Sequence, residues 1–234
     1  MCSVLTLLVV ATLSVAEDYS IKVNSLGVGN AWVSGAVTPL QVSVSSNVNE
    51  ATTAWVQWEV PDADGDTVLW GKQITLTPGR SSSTWLYAPV QPWATSSTVW
   101  NVRLREWNGS EPEGELAVTK FTPISSGALK IESDTGVIAV FGTSRLGLSG
   151  YEPQPQDVKQ EATIIVSGLQ HAELPDAWPC LETLDAIVWA NELPQFTYRQ
   201  ELAMQEWVER GGHLIVSLPT IGNPWELGSE HGPL

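Results

Sequence analysis

The sequence is short of the groups that most often hold metals, close disulfides or bind nucleic acid. Of its 234 residues, two are cysteine and three are histidine, and 11 Lys and Arg stand against 26 Asp and Glu. Cys2 lies at the very start of the chain, ahead of an apolar run, and Cys180 lies far beyond it. Removal of the N-terminal run therefore leaves one thiol and excludes an intrachain disulfide. A formal net charge of −15 excludes nucleic acid and anionic membrane surfaces as principal partners, because phosphates repel a surface of their own sign. After the first residues no stretch is long and apolar enough to cross a bilayer, so contact with a membrane requires a segment outside this sequence. No internal repeat is visible, and no motif calls for a cofactor.

What the sequence does have begins with an export signal. Val4 to Val15 is apolar, too short for an ordinary span, and Ser14-Val15-Ala16 before Glu17-Asp18 fits a small-x-small cleavage site. Residues 1–16 read as a signal peptide, although Met1-Cys2-Ser3 offers no basic side chain, and the mature protein is expected in the periplasm, at the cell surface or outside the cell. Hydrophobic residues make up 43% of the chain, enough for two cores in a chain of this length.

Residues 17–125 read as an all-β domain. Runs at 40–44, 53–60, 67–76, 83–87, 97–104 and 116–121 are alternating or β-branched and are separated by Gly, Pro, Asn, Asp and Ser. Their spacing, with no helical pattern between them, predicts an immunoglobulin-like β-sandwich, without the Cys pair of a true immunoglobulin domain. The 12 Trp are the chain's conspicuous excess. Trp55, Trp58, Trp70, Trp85 and Trp100 fall inside these runs, where aromatic side chains pack on a pleated face, and they are expected in the core. If exposed and coplanar, they would instead make a carbohydrate-binding face.

Two loops carry local signals. Asp62, Asp64 and Asp66 alternate as calcium ligands do, but the Gly and Glu positions of an EF-hand are missing, and Asp-Gly between two strand-like runs predicts a hairpin turn. Asn108-Gly109-Ser110 is a formal glycosylation acceptor, relevant only in a eukaryotic secretory pathway.

After a linker at Ser125-Ser126-Gly127, residues 126–234 read as an α/β domain. Buried-type strands are expected at 137–142, 162–167, 185–190 and 213–218, with a short helix near 156–161. A longer helix starts at the capping box Thr197/Gln200, presents Ala203, Met204, Trp207 and Val208 inward and Arg199, Glu201, Glu206 and Glu209 outward, and stops at Arg210-Gly211. This order predicts a flavodoxin-like parallel sheet, which looks incomplete because 220–234 is loop-like. Ligands of such sheets lie beyond the strand carboxyl ends. There the candidates are Ser144, Arg145, Asn191, Glu192 and Thr220, with Thr143, Ser167, Gly168 and Ser217 beside them. Leu146 replaces the second Gly of a nucleophile elbow, and no Lys-Ser or Lys-Thr follows Gly147, so neither that elbow nor a phosphate loop is present.

Leu174-Pro-Asp-Ala-Trp178, Leu184-Asp-Ala-Ile-Val188, Gln200, Ala203, Trp207-Val208 and Gly211-Gly212-His-Leu-Ile-Val216 resemble the class I glutamine amidotransferase-like domains of exported bacterial envelope proteins. The resemblance spans roughly 136–218 and implies the sheet. It also implies a nucleophilic Cys after the helix and its strand, where this chain reads Ile215-Val-Ser-Leu-Pro-Thr220. With that Cys absent, the resemblance carries over no catalytic residue. Cys180 lies on a different loop, where a packed structural thiol is expected.

The expected function is thus a non-catalytic envelope protein that binds a protein or glycan, either free or as the soluble part of a longer membrane-anchored chain. Its alternatives are an exported hydrolase of a glycan or amide using Ser144 or Glu192, and the carbohydrate-binding sandwich.

Overall fold

A computed structural model of the protein describes residues 18–142, 146–148, 163–190 and 195–217. The signal segment 1–16, the helix at 156–161, the tail 220–234 and the candidates Ser144, Arg145, Asn191, Glu192 and Thr220 lie outside the described residues.

The chain is rich in β-structure throughout. Two antiparallel sheets build a sandwich. One contains β1 (Tyr19–Leu26), β3 (Val37–Ser46) and β6 (Ser81–Pro89), in the order β1-β3-β6. The other contains β4 (Thr52–Pro61), β5 (Thr67–Leu76), β7 (Trp100–Trp107) and β8 (Pro112–Phe121), in the order β5-β4-β7-β8. Period-2 alternation explains the layer between them. In β3, Leu40, Val42 and Val44 turn inward while Gln41 and Ser43 turn out, and in β4, Ala54, Val56, Trp58 and Val60 turn inward. Trp100 organises this core, with Trp32 and Trp58 edge-on to it at 5.8 and 5.4 Å and Phe121 at 5.7 Å.

The expected aromatic core holds for Trp58 and Trp100, and Trp85 is buried as well, but outside that core, so not all five strand tryptophans belong to it. Trp55 sits half-buried on the outer face of the four-stranded sheet, stacked on Trp107 at 5.3 Å, and Trp70 on the edge strand β5 is 36% exposed. Room for Trp55 comes from Gly71, where an added Cβ would stand 2.5 Å from its indole nitrogen. The turn between β4 and β5 is a hairpin loop, as predicted. Asp62 Oδ1 accepts the backbone N–H groups of Asp64 (3.0 Å) and Asp66 (2.9 Å), so this carboxylate is engaged by its own loop.

Besides β1, which lies ahead of the first run singled out in the sequence, two short strands went unread. β2 (Ala31–Val33) pairs in parallel with β9 (Leu129–Ile131), directly after the linker. Three residues each give too little periodicity to stand out. Their pairing binds the start of the second half to a loop of the first.

The second half holds a four-stranded parallel sheet of β10 (Gly136–Phe141), β11 (Thr163–Leu169), β12 (Ala186–Ala190) and β13 (His213–Ser217), in the order β11-β10-β12-β13. Among the described residues a single α-helix, α1 (Tyr198–Glu209), accompanies it, between β12 and β13. One face of this sheet (Val137, Ala139, Phe141, Ile187, Trp189) packs on Met204 and Trp207 of α1, and also on Val28 and Ile131. The loop 27–30 approaches β11 so closely that a Cβ on Gly29, at φ +57, would lie 2.4 Å from Val166. The other face carries a smaller cluster of Val140, Ile165, Val188 and Ala190.

Thr197 and Gln200 form the expected capping box, and the helix closes at Arg210 with Gly211 at φ +102. Its buried stripe is rotated from the expectation. Gln200, Glu201, Ala203, Met204 and Trp207 are buried, whereas Val208 is 39% exposed. The cause lies in Gln200, whose Nε2 donates to the carbonyls of His171 (2.9 Å) and Leu174 (2.7 Å) and turns the first helical turn toward that loop.

Candidate ligand-binding cleft

The connection after β11 runs through two single 3-10 turns, His171–Glu173 and Trp178–Cys180, and lies on the outer face of the sandwich's three-stranded sheet. Strand alternation aims Gln41, Ser43, Ser83, Trp85 and Tyr87 outward from that sheet. Trp85, only 7% exposed, is therefore buried from outside the sandwich core rather than within it.

Polar contacts tie the two parts together. Gln41 Nε2 donates to the carbonyl of Ala172 at 3.0 Å. The Tyr87 hydroxyl donates to Asp176 Oδ1 and accepts the Asp176 backbone N–H at 3.0 Å. Burial first, then the bond to Asp176, pushes the Tyr87 phenol far above its ordinary range. Lys72, on the neighbouring strand β5, is held below the usual lysine value by desolvation, which the Asp176 carboxylate opposes and the Arg199 guanidinium reinforces. Burial also pushes the Cys180 thiol up, with Asp176 adding to the effect, so the side chain stays a neutral, packed thiol, as expected for a structural cysteine.

Beside these contacts is an open cleft of about 400 Å3 lined by Gln41, Ser83, Thr84, Trp85, His171, Ala172, Asp176, Gln195, Thr197 and Gln200. One wall is the outer face of β3 and β6. The other is formed by the connections that leave the carboxyl ends of β11 and β12, the side on which open parallel sheets bind ligands. The sequence pointed to the strand carboxyl ends, but to residues nearest the strand tips. The sandwich wall of the cleft was not legible there, because no periodicity in a strand tells which later segment will cover its outward face. Nor were Asp176 and His171, whose only signal was their position in the loop before Trp178.

Of the candidates at the strand ends, the described residues hold Ser167, Gly168 and Ser217, and none of them lines the cleft. His213 opens β13 at the opposite edge, with Nδ1 3.2 Å from the Asp185 carbonyl oxygen. Asp185 there accepts the Val137 N–H at 2.6 Å, anchoring the start of β10. Among the described residues no cluster of three His, Cys, Asp or Glu side chains is arranged to hold a metal ion, and Asp62, Asp64 and Asp66 do not form one.

No protein-family model matches the chain, and no curated protein matches it. Solved structures give distant likenesses. One is a beta-glucosidase from Listeria innocua, at 12% identity and TM-score 0.30, covering 46% of this chain and 16% of that one. Another is the CARDB domain of a Pyrococcus furiosus protein solved with di-metal ions, at 11% identity and TM-score 0.29, covering 49% of this chain and 90% of that domain. A third is R. palustris CsgH, at 15% identity and TM-score 0.27, covering 45% and 92%. The chain thus spans about a sixth of the glucosidase, and likenesses this distant say nothing about function.

Proposed function

We propose that this protein is an exported, non-catalytic binding module of the cell envelope, whose ligand occupies the cleft between the sandwich and the parallel sheet. The observation that carries the reading is the cleft's position. It lies at the carboxyl edge of a parallel sheet, walled by a second unit and lined by amide, hydroxyl, imidazole and indole groups. A neutral, buried Cys180 away from the strand-end position of a catalytic nucleophile fits a site that binds without forming an acyl-enzyme.

The finer fold assignments belong to the same proposal. The sandwich reads as immunoglobulin-like, with its first, second and fifth long strands in one sheet and its third, fourth, sixth and seventh in the other. The parallel sheet, in the order second, first, third, fourth, follows the start of the flavodoxin-like arrangement, and through it the resemblance to amidotransferase-like domains. Anchoring to a membrane would come from a segment beyond this sequence.

Two experiments test the proposal. Mass spectrometry of protein recovered from an export-competent host should give a mature N-terminus at Glu17; an intact N-terminal segment on protein retained in the cytoplasm contradicts export. A thermal-shift screen of metabolites, glycans and peptides should give ligands whose stabilisation is lost in Gln195→Ala and His171→Ala, two exposed cleft residues. Stabilisation by every ligand that persists in both variants removes the cleft from the account.

A further inference from the structure

We infer that the ligand of this cleft is a small neutral saccharide; this rests on reading the cleft as the binding site. The first argument is the mixture of unused hydrogen-bonding groups. Among the described residues, Gln41 Nε2 is committed to Ala172, but its carbonyl oxygen has no partner, nor do the Gln195 amide or the His171 ring. Together with the second carboxylate oxygen of Asp176, they offer donors and acceptors side by side. Sugar hydroxyls, each donor and acceptor at once, match such a mixture, whereas a purely apolar or purely anionic ligand leaves half of it unpaired.

Charge is the second argument. Among the described residues no Lys or Arg lines the cleft, and its one carboxylate already accepts the Tyr87 hydroxyl and attracts Lys72. The N-terminus of α1 also opens here, but its capping box is closed. Thr197 Oγ1 accepts the Gln200 N–H at 3.3 Å, and Gln200 Oε1 accepts the Thr197 N–H at 2.9 Å. The described residues of the cleft therefore hold no uncommitted strong positive group for a phosphate or carboxylate, and a chain of charge −15 disfavours one further.

Shape and apolar surface supply the third. A volume of about 400 Å3 falls near the small end of the usual range for ligand sites, about 300–1,000 Å3. Trp85, 7% exposed, reaches the wall only in part and adds a small apolar contact beside the polar groups, as suits the C–H surface of a sugar ring.

The test is titration calorimetry of the full mature chain. The probes are neutral disaccharides (maltose, cellobiose, lactose and diacetylchitobiose), the same sugars carrying uronic acid or sulfate groups, and short peptides. The prediction is binding of at least one neutral disaccharide, weakened about tenfold or more in Gln195→Ala or His171→Ala, each change removing one hydrogen-bonding side chain. Binding confined to the charged sugars or peptides, and weakened by these variants, overturns the saccharide while leaving the cleft as the site. Disaccharide binding unchanged by both variants overturns the cleft itself, and no binding of any probe overturns both. Circular dichroism of each variant confirms that a loss comes from the site rather than the fold.

Discussion

Tyr87 and Asp176 are the residues on which the junction of the two halves most depends. Their paired hydrogen bonds cross from the sandwich to the loop after β11, next to the cleft. Replacing Tyr87 by Phe removes the donor to a part-buried carboxylate and is expected to cost about 1–3 kcal/mol in urea unfolding at neutral pH. The difference between wild type and variant should also vary with pH in a defined direction. The native phenol keeps its proton far above the ordinary tyrosine range, whereas an unfolded tyrosine ionises near pH 10. The contribution of Tyr87 is therefore complete below about pH 10 and declines as pH rises further. A difference that grows above pH 10 would contradict this assignment. Lys72 works in the opposite sense. Because desolvation lowers its affinity for a proton, the folded state is penalised at neutral pH, and the penalty fades as pH rises toward the ordinary lysine value of about 10.4. Lys72→Met should accordingly raise the urea midpoint at pH 7, with the gain shrinking at alkaline pH; a lower midpoint would mean that attraction to Asp176 outweighs desolvation.

At the scale of elements, α1 and its flanking strands were the most readable part of the sequence. Thr197 to Gly211 carries an N-cap, a capping box, an apolar stripe and a C-terminal glycine, four local signals that agree. Thr197→Ala should destabilise the protein by about 1 kcal/mol by thermal or chemical denaturation; no change would show that Gln200 alone closes the helix. The strands were legible for similar reasons, the run 67–76 coinciding with β5 and the four parallel strands lying within a residue or two of expectation. What could not be read was set by non-local contacts. Val208 has the hydrophobicity of a core residue, yet Gln200's bonds to His171 and Leu174 turn it toward solvent. The β2–β9 pair depends on residues roughly a hundred positions apart, and Trp55 lies on the outer face because Gly71 leaves space there. Alternation states that two faces differ, and only the assembled neighbours decide what covers each.

The described residues form two layered bodies joined by shared packing rather than by a free tether. Val28, from a loop of the sandwich half, is buried in the core of the parallel sheet, and Gly29 lets that loop reach β11. Inside the sandwich, Trp100→Ala would remove the ring that Trp32, Trp58 and Phe121 surround, at a cost of about 3–5 kcal/mol. Because the junction also fixes both walls of the cleft, binding should be more sensitive to Tyr87→Phe than to changes on the far face of the sandwich around Trp55 and Trp107. That outer pair is the competing location for a sugar, since its half-exposed indoles are the aromatic surface expected of a carbohydrate-binding sandwich. The most direct measurement is a crystal structure of the protein grown with the tightest-binding neutral disaccharide. The account predicts the sugar between Trp85 and Thr197, within hydrogen-bond distance of Gln195, His171 or Asp176. Density for the sugar against Trp55 and Trp107, with the cleft filled only by solvent, would contradict it.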